Sequence, residues 1–368
     1  MKHKIKFNLL IIFWLALGYK TNAQEKVNEK TVRNYLVTEM RIQHIPGLAY
    51  SVIKKGKVLT TGVIGEANLT WGAYVTPNTL FQMASASKVY CGVLLARLFD
   101  QGIFSVQDSL GNLLHDIPQE WKAVKLTELA SHQSGIKSGN FGINTTSKEA
   151  FEIAKKQPFE FKPGMGSAYI SSDFWILQYV IEQKTGLTYF SALKKYVLDP
   201  LLMHDSNVNN VREGMARTSD VLPREATVYH YDSQLAKYRI GDFPFTASGY
   251  AAGGIFTSIN DFNKLIIALD NGTFLSPESY RLLTTAIPLK TAQEGHYGLG
   301  TIVRNYENHK LVEHSGGPAL ADFSRFEDDH LTVIVLTNQR GVYPYLAKSV
   351  ASFYISGLPK QTIPKDYR

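Results

Sequence analysis

The residues best equipped for chemistry are Ser85 and Lys88, in the stretch Phe81-Gln-Met-Ala-Ser-Ala-Ser-Lys88 that runs straight into Val89-Tyr-Cys-Gly-Val-Leu-Leu-Ala-Arg-Leu-Phe99. If a helix begins at or just before Ser85, residues three apart share one face, so the Lys88 amine can approach the Ser85 hydroxyl. A serine is a weak nucleophile until a base takes its proton, and a lysine can serve where burial and nearby positive charge lower its pKa. The free N–H groups of a helix start favour charge developing on an incoming carbonyl oxygen. One stretch can thus supply a nucleophile, a base and part of an oxyanion hole. The Ser-x-x-Lys spacing itself is unspecific, because Ser51–Lys54, Ser134–Lys137 and Ser191–Lys194 also have it. The first reads as a strand end, the second as loop and the third as a helix with Lys194 facing solvent. Ser85 alone precedes a helix so apolar all round that it must be buried.

A serine hydrolase also needs proton management at the leaving group and a second oxyanion donor. Tyr169-Ile-Ser171 lies between the turn Pro163-Gly164 and a helix starting near Ser172. A phenol there can share the proton traffic of Lys88, or be a packed tyrosine beside a serine N-cap. His314-Ser-Gly-Gly317 lies at the end of a strand, where glycine lets backbone approach a ligand closely. The Gly317 N–H can be the second donor, or the segment can be an ordinary turn. No serine has glycine two positions before it, no His-Glu-x-x-His or cysteine cluster occurs, and no phosphate-binding Gly-x-x-x-x-Gly-Lys is present. No metal or cofactor is therefore implied.

The elements that must position these residues follow from periodicity. Glu29 to Met40 has helical spacing, Leu48 to Lys54 and Lys57 to Ile64 form a hairpin about Lys55-Gly56, and Gly102 caps the helix after Ser85. Helices at Ser172 to Glu182 and Ser258 to Leu269 follow, the second with Ser258 and Asp261 as a capping box. Residues 206 to 248 are polar and poorly periodic. Strands at Leu311 to His314, Ala321 to Phe326 and Leu331 to Thr337 precede a terminal helix over Tyr343 to Ser356. Strands at both ends and helices between predict a sheet from the terminal thirds (about 24–84 and 250–368) with a helical subdomain (about 100–249) inserted.

The 368 residues are 44% hydrophobic and 19% charged, an ordinary globular composition with material for a sizeable core. Lys2, Lys4 and Lys6, the apolar run Leu9 to Gly18 and Thr21-Asn-Ala23 read as a signal peptide over residues 1–23, too short in its apolar part to span a bilayer. Export to a bacterial periplasm is expected, with no membrane anchor after cleavage. Of 39 basic residues, four (Lys2, Lys4, Lys6 and Lys20) lie in this leader, leaving 35 against 32 acidic ones. With no basic stripe either, nucleic acid is not an expected partner. Cys91, the single cysteine, reads as a small core residue.

Taken in order, Ser85-x-x-Lys88, Tyr169-x-Ser171 and His314-x-Gly316 resemble the serine β-lactamase and penicillin-binding protein superfamily, in the branch of class C β-lactamases, D-alanyl-D-alanine carboxypeptidases and related esterases. Ile45-Pro-Gly47, Leu129 to Gly135, Pro163-Gly164, Asp199 to Met203, Ala252 to Ser258 and Val333 to Asn338 resemble further landmarks in family order, over roughly residues 28 to 356. The resemblance implies an α/β (α+β) fold, an antiparallel sheet flanked by helices plus a mostly helical domain, with the site in the cleft between. It implies that Ser85 is acylated, that Lys88 and Tyr169 exchange protons and that the N–H groups of Ser85 and Gly317 bind the oxyanion. His314, Gly316 and Ser171 would line the substrate site. Two departures stand out: Ser171 replaces the usual asparagine, and His314 replaces the lysine of the common Lys-Thr-Gly, removing a fixed cation. A small-molecule or peptide substrate, peptidoglycan-derived and containing a D-amino acid, is expected. A non-hydrolytic penicillin-binding or cell-wall-binding module, or a weak β-lactamase, is the alternative. Specificity is expected from loops such as 138–148 and 206–248.

Overall fold

The computed structural model describes residues 29–139, 145–212, 215–241, 243–291 and 293–363. The expected leader and part of the 138–148 loop lie outside them.

A helix α1 (Glu29–Ile42) leads into strands β1 (Gly47–Lys54) and β2 (Lys57–Asn68). Lys55 and Gly56 have φ of 51° and 70°, the paired left-handed turn whose twist suits a tight hairpin. After the two-residue β3 (Ala73–Tyr74) the chain enters the helical region, which includes α2 (Ser87–Asp100), α3 (Ser172–Thr185) and α4 (Ile259–Asp270). It returns as β4 (Ile302–Tyr306), β5 (His309–Gly316), β6 (Ala321–Phe326) and β7 (Leu331–Thr337), and α5 (Leu346–Ala351) follows. The sheet order is β3-β2-β1-β7-β6-β5-β4, antiparallel throughout. The two ends of the chain meet at its centre, where Leu48 opposes Thr337 and Lys54 opposes Leu331.

Strand alternation sorts the core into two layers. Leu48, Tyr50 and Val52 of β1, with Val333 and Val335 of β7, pack against Val32 and Leu36 of α1 and Leu346 and Val350 of α5. Ala49 and Ile53, with Ile334 and Leu336, face the opposite way, into the core shared with α2, α3 and α4. The helix α2 runs through that core, and eleven of its 14 residues are buried. Cys91 is buried among them, and burial pushes its thiol up to about 12.

Two local expectations are corrected. The terminal helix is confined to Leu346–Ala351, because Pro344 disfavours helical geometry at Tyr343 and the chain turns after Ala351. The capping box of α4 is only half made. Ser258 accepts the Asp261 N–H, but the Asp261 carboxylate is taken by the N–H groups of Asp205 and Ser206. Among the described residues, no helix is long and apolar enough to cross a membrane.

Candidate active site

Ser85 lies in a single 3₁₀ turn, Ala84–Ala86, and the α-helix proper starts two residues later at Ser87. Ala84 is held at φ 43°, a left-handed conformation that costs a Cβ-bearing residue of order 1 kcal/mol or more. The end of β5 sits against this turn. Glu313 points to the α5 side of the sheet, where Lys348 Nζ reaches it at 2.7 Å. By alternation His314 and Gly316 point the other way, towards α2. A Cβ on Gly316 would lie 1.9 Å from the Met83 carbonyl oxygen, and Gly317, at φ 46°, abuts Ala84. Gly316→Ala is therefore expected to displace the Ser85 turn and lower kcat/KM about 100-fold, the scale of an ångström-sized misplacement. Titration with a serine-directed phosphonate, read as labelling rate against the unchanged sheet signal in far-UV circular dichroism, checks this.

Lys88 is fully buried. Its amine donates to the Ala252 carbonyl at 2.8 Å and lies 5.0 Å from the Tyr169 ring centre and 5.3 Å from that of Phe174. Desolvation lowers its pKa to about 7, against opposing contributions from Cys91 and Asp173. A lysine so placed is substantially a free base at neutral pH.

Burial of the Tyr169 hydroxyl raises its pKa, with the Ser85 side chain beside it acting the other way, while the residue keeps 45% of its surface exposed. Its ring lies 4.6 Å from that of His132 and 6.2 Å from that of His314. His314 is buried, and its Nδ1 lies 2.7 Å from the Ser315 carbonyl oxygen, to which it donates. Desolvation, with Lys88 nearby, lowers its pKa to about 3. His314 is thus uncharged at neutral pH. Ser171 stands at the N-terminus of α3 in helical geometry, half-buried, and its side chain makes no capping bond. The N-cap reading of Ser171 is corrected on that ground.

Ser85, Lys88, Tyr169, His314, Gly316 and Gly317 therefore surround one point, though they span more than 230 residues of sequence. Sequence reasoning assigned no role to four further neighbours. His132 and Ala252 fall in stretches legible only as landmarks, and Asp173 only as part of a helix. Phe243 lies in the aperiodic region. Gln82 holds it at both main-chain polar groups, donating to its carbonyl at 2.6 Å and accepting its N–H at 3.2 Å. Its ring edge would be 2.7 Å from a Cβ on Gly317, and the Arg340 guanidinium lies 4.0 Å from the ring centre. The aromatic Phe243-Pro-Phe245 was the available signal, but nothing local shows that it reaches a glycine over 70 residues away.

A family model described as Beta-lactamase matches residues 32–350. The chain belongs to the Beta-lactamase family. The expected antiparallel sheet with flanking helices is this family's fold, and membership makes the protein a serine hydrolase. Penicillin-binding protein 4* of Bacillus subtilis (strain 168) is 25% identical, over 77% of this chain and 66% of its own length. Teichoic acid D-alanine hydrolase of Staphylococcus aureus (strain NCTC 8325 / PS 47) is 23% identical, over 79% of this chain and 70% of its own. The chain thus spans about two thirds of the length of these curated relatives. The octameric penicillin-binding protein homologue from Pyrococcus abyssi superposes with a TM-score of 0.74 at 23% identity, covering 89% of this chain and 77% of that one.

Proposed function

We propose that this chain is an exported hydrolase that cleaves D-alanyl esters, or short peptides containing a D-amino acid, through an acyl-enzyme on Ser85. The observation that carries the reading is the convergence of Ser85, the Tyr169 hydroxyl beside it and a fully buried Lys88, whose amine lies 5.0 Å from the Tyr169 ring centre. Export is supported by the basic and apolar leader sequence.

The steps follow from these groups. The Ser85 oxygen attacks the substrate carbonyl as its proton passes to the Tyr169–Lys88 pair. Lys88 is the acceptor that costs least, because Tyr169 is raised above its ordinary value and a phenolate there is disfavoured. Negative charge on the former carbonyl oxygen is met by the N–H groups of Ser85 and Gly317, which the contact of Gly317 with Ala84 brings together. The tetrahedral intermediate collapses, the Ser85 ester remains, and the leaving oxygen or nitrogen departs with the proton. Water then attacks the ester by the reverse proton path.

An ester of D-alanine is favoured over a terminal D-Ala-D-Ala. His314 is neutral where a carboxylate-bearing leaving group would need a cation, and the name of the staphylococcal relative points the same way. A turnover panel of D-alanyl esters, D-alanyl peptides, short-chain esters and a chromogenic cephalosporin, each beside Ser85→Ala, tests this. D-alanyl esters are expected to turn over fastest. Faster turnover of D-alanyl peptides would replace the ester reading by a carboxypeptidase. A second reading, a penicillin-binding module that acylates without turnover or a weak β-lactamase, rests on Ser171, which is too short to hold both substrate amide and lysine. Intact mass after mixing with a β-lactam separates the two, since a lasting adduct favours the binder.

A further inference from the structure

Behind the Ser85–Tyr169–Lys88 cluster lies a carboxyl group that the mechanism above does not use. Asp173, on the first turn of α3, is fully buried. Its Oδ1 accepts the Ser134 hydroxyl at 2.5 Å, and Ser134 Oγ in turn accepts the Ile136 N–H at 3.0 Å. Its Oδ2 has no hydrogen-bond partner, and the polar atom facing it is His132 Nδ1 at 3.4 Å. That nitrogen accepts the Ile170 N–H at 3.2 Å, so it presents a lone pair and the ring proton resides on Nε2. Two acceptors therefore face each other in a buried site. The arrangement is repulsive with an ionised carboxylate and attractive once Oδ2 carries a proton.

The geometry points to Asp173 as a neutral carboxylic acid whose Oδ2–H shares the His132 Nδ1 lone pair with the Ile170 N–H in a three-centre hydrogen bond, a positioning residue that fixes the ring against which Tyr169 rests and leaves Lys88 without an ionised carboxylate beside it. The inference rests on the acyl-enzyme reading for its functional part. Burial raises Asp173 well above the ordinary carboxylate range and, with Lys88, lowers His132 well below the ordinary imidazole value. The 3.4 Å contact between them is thus not an ion pair. Lys88 and Asp173 hold the same protons in either of two arrangements, ammonium with carboxylate or amine with carboxylic acid. Only the second supplies a free amine for acylation. The other titratable groups facing the pair are a thiol, an imidazole and two phenols. Cys91 from α2 is pushed up to about 12 and His314 from β5 down to about 3, and Tyr169 and Tyr297 are both raised. Ser134 offers only a neutral hydroxyl.

Infrared difference spectra of the full chain against Asp173→Asn, at neutral pH, read the proton directly. A carbonyl stretch of a protonated carboxyl, present in the wild type and lost in the variant, is expected. The asparagine amide can donate to His132 Nδ1 and accept from Ser134 as the acid does, so Asp173→Asn is expected to keep kcat/KM within about threefold and its pH midpoint unshifted. Asp173→Leu, of similar size but without polar atoms, is expected to lower kcat about 10- to 100-fold with KM within about twofold. Absence of the protonated-carboxyl band overturns the proposal. So does a downward shift of the acid limb in Asp173→Asn, since removing an ionised carboxylate would lower the pKa of Lys88 further. If Asp173→Leu does not fold, the asparagine variant and the infrared band still decide. Phosphonate labelling of wild-type Ser85 tests the acyl-enzyme reading separately, because a protein that resists labelling still reports the state of Asp173 in the infrared.

Discussion

Ser85→Ala is expected to lower kcat by about four orders of magnitude or more, the scale seen when a covalent nucleophile is deleted. The fold should tolerate the change, because Ala84 and Ala86 already flank the position and Ser85 is only partly buried. The lost hydroxyl removes a polar neighbour of Tyr169 in a half-open cleft, a change of about 1 kcal/mol at most. The measurement is a full time course on the best substrate of the panel, beside intact-mass detection of a phosphonate adduct. Loss of both turnover and adduct, with an unchanged melting temperature, is the expected result. Turnover at the wild-type rate would place the chemistry elsewhere in the molecule.

The second large effect is expected at Lys88, where activity and stability move in opposite directions. Lys88→Met removes the proton acceptor and should reduce kcat by about 10³, within the range of general-base contributions. The same change should stabilise the protein by roughly 2 kcal/mol, raising Tm by a few degrees, because methionine fills the site without a polar head to desolvate. The sign with pH is determined by the lowered pKa. Lys88 titrates near 7 when folded and near 10.5 in its unperturbed state, so between these values the unfolded chain binds more protons than the folded one. In the wild type this residue therefore makes stability rise with pH across that window, and below about 7 the full cost of burying the charge is present. The stabilisation by Lys88→Met should accordingly be larger at pH 6 than at pH 10, measured by denaturant unfolding at both. The wild-type kcat/KM should rise through a midpoint near pH 7, as the amine loses its proton. A stabilisation independent of pH would show that Lys88 is not buried as described.

Much of this molecule is legible from local pattern. The hairpin about Lys55-Gly56 follows from alternation and a turn glycine, α4 from the apolar stripe Phe262, Leu265, Ile266 and Leu269, and the buried α2 from the absence of any polar face. The C-terminal strands β5, β6 and β7 are readable for the same reason, whereas the edge strand β4 (Ile302–Tyr306) is not. The misread ends have local causes of a different kind. Pro344 shortens the last helix, and Asp261 leaves its capping role because two N–H groups from residues 205 and 206, far away in sequence, compete for its carboxylate.

The sequence by itself determined which residue types stand in which order: a serine before a buried helix with a lysine three positions on, a tyrosine at a loop-to-helix junction, and a histidine and glycines at a strand end. It also determined the alternation that turns His314 and Gly316 to one face of β5. Only the tertiary structure decided what those residues are chemically. The free-base character of Lys88 comes from desolvation by distant segments, such as the short helix, 164 residues away, that supplies the Ala252 carbonyl. The neutrality of His314, the Phe243 wall beside Gly317 and the orphaned oxygen of Asp173 have the same origin. A proton's position depends on the dielectric and on the partners that surround it, and these are assembled by packing between distant parts of the chain.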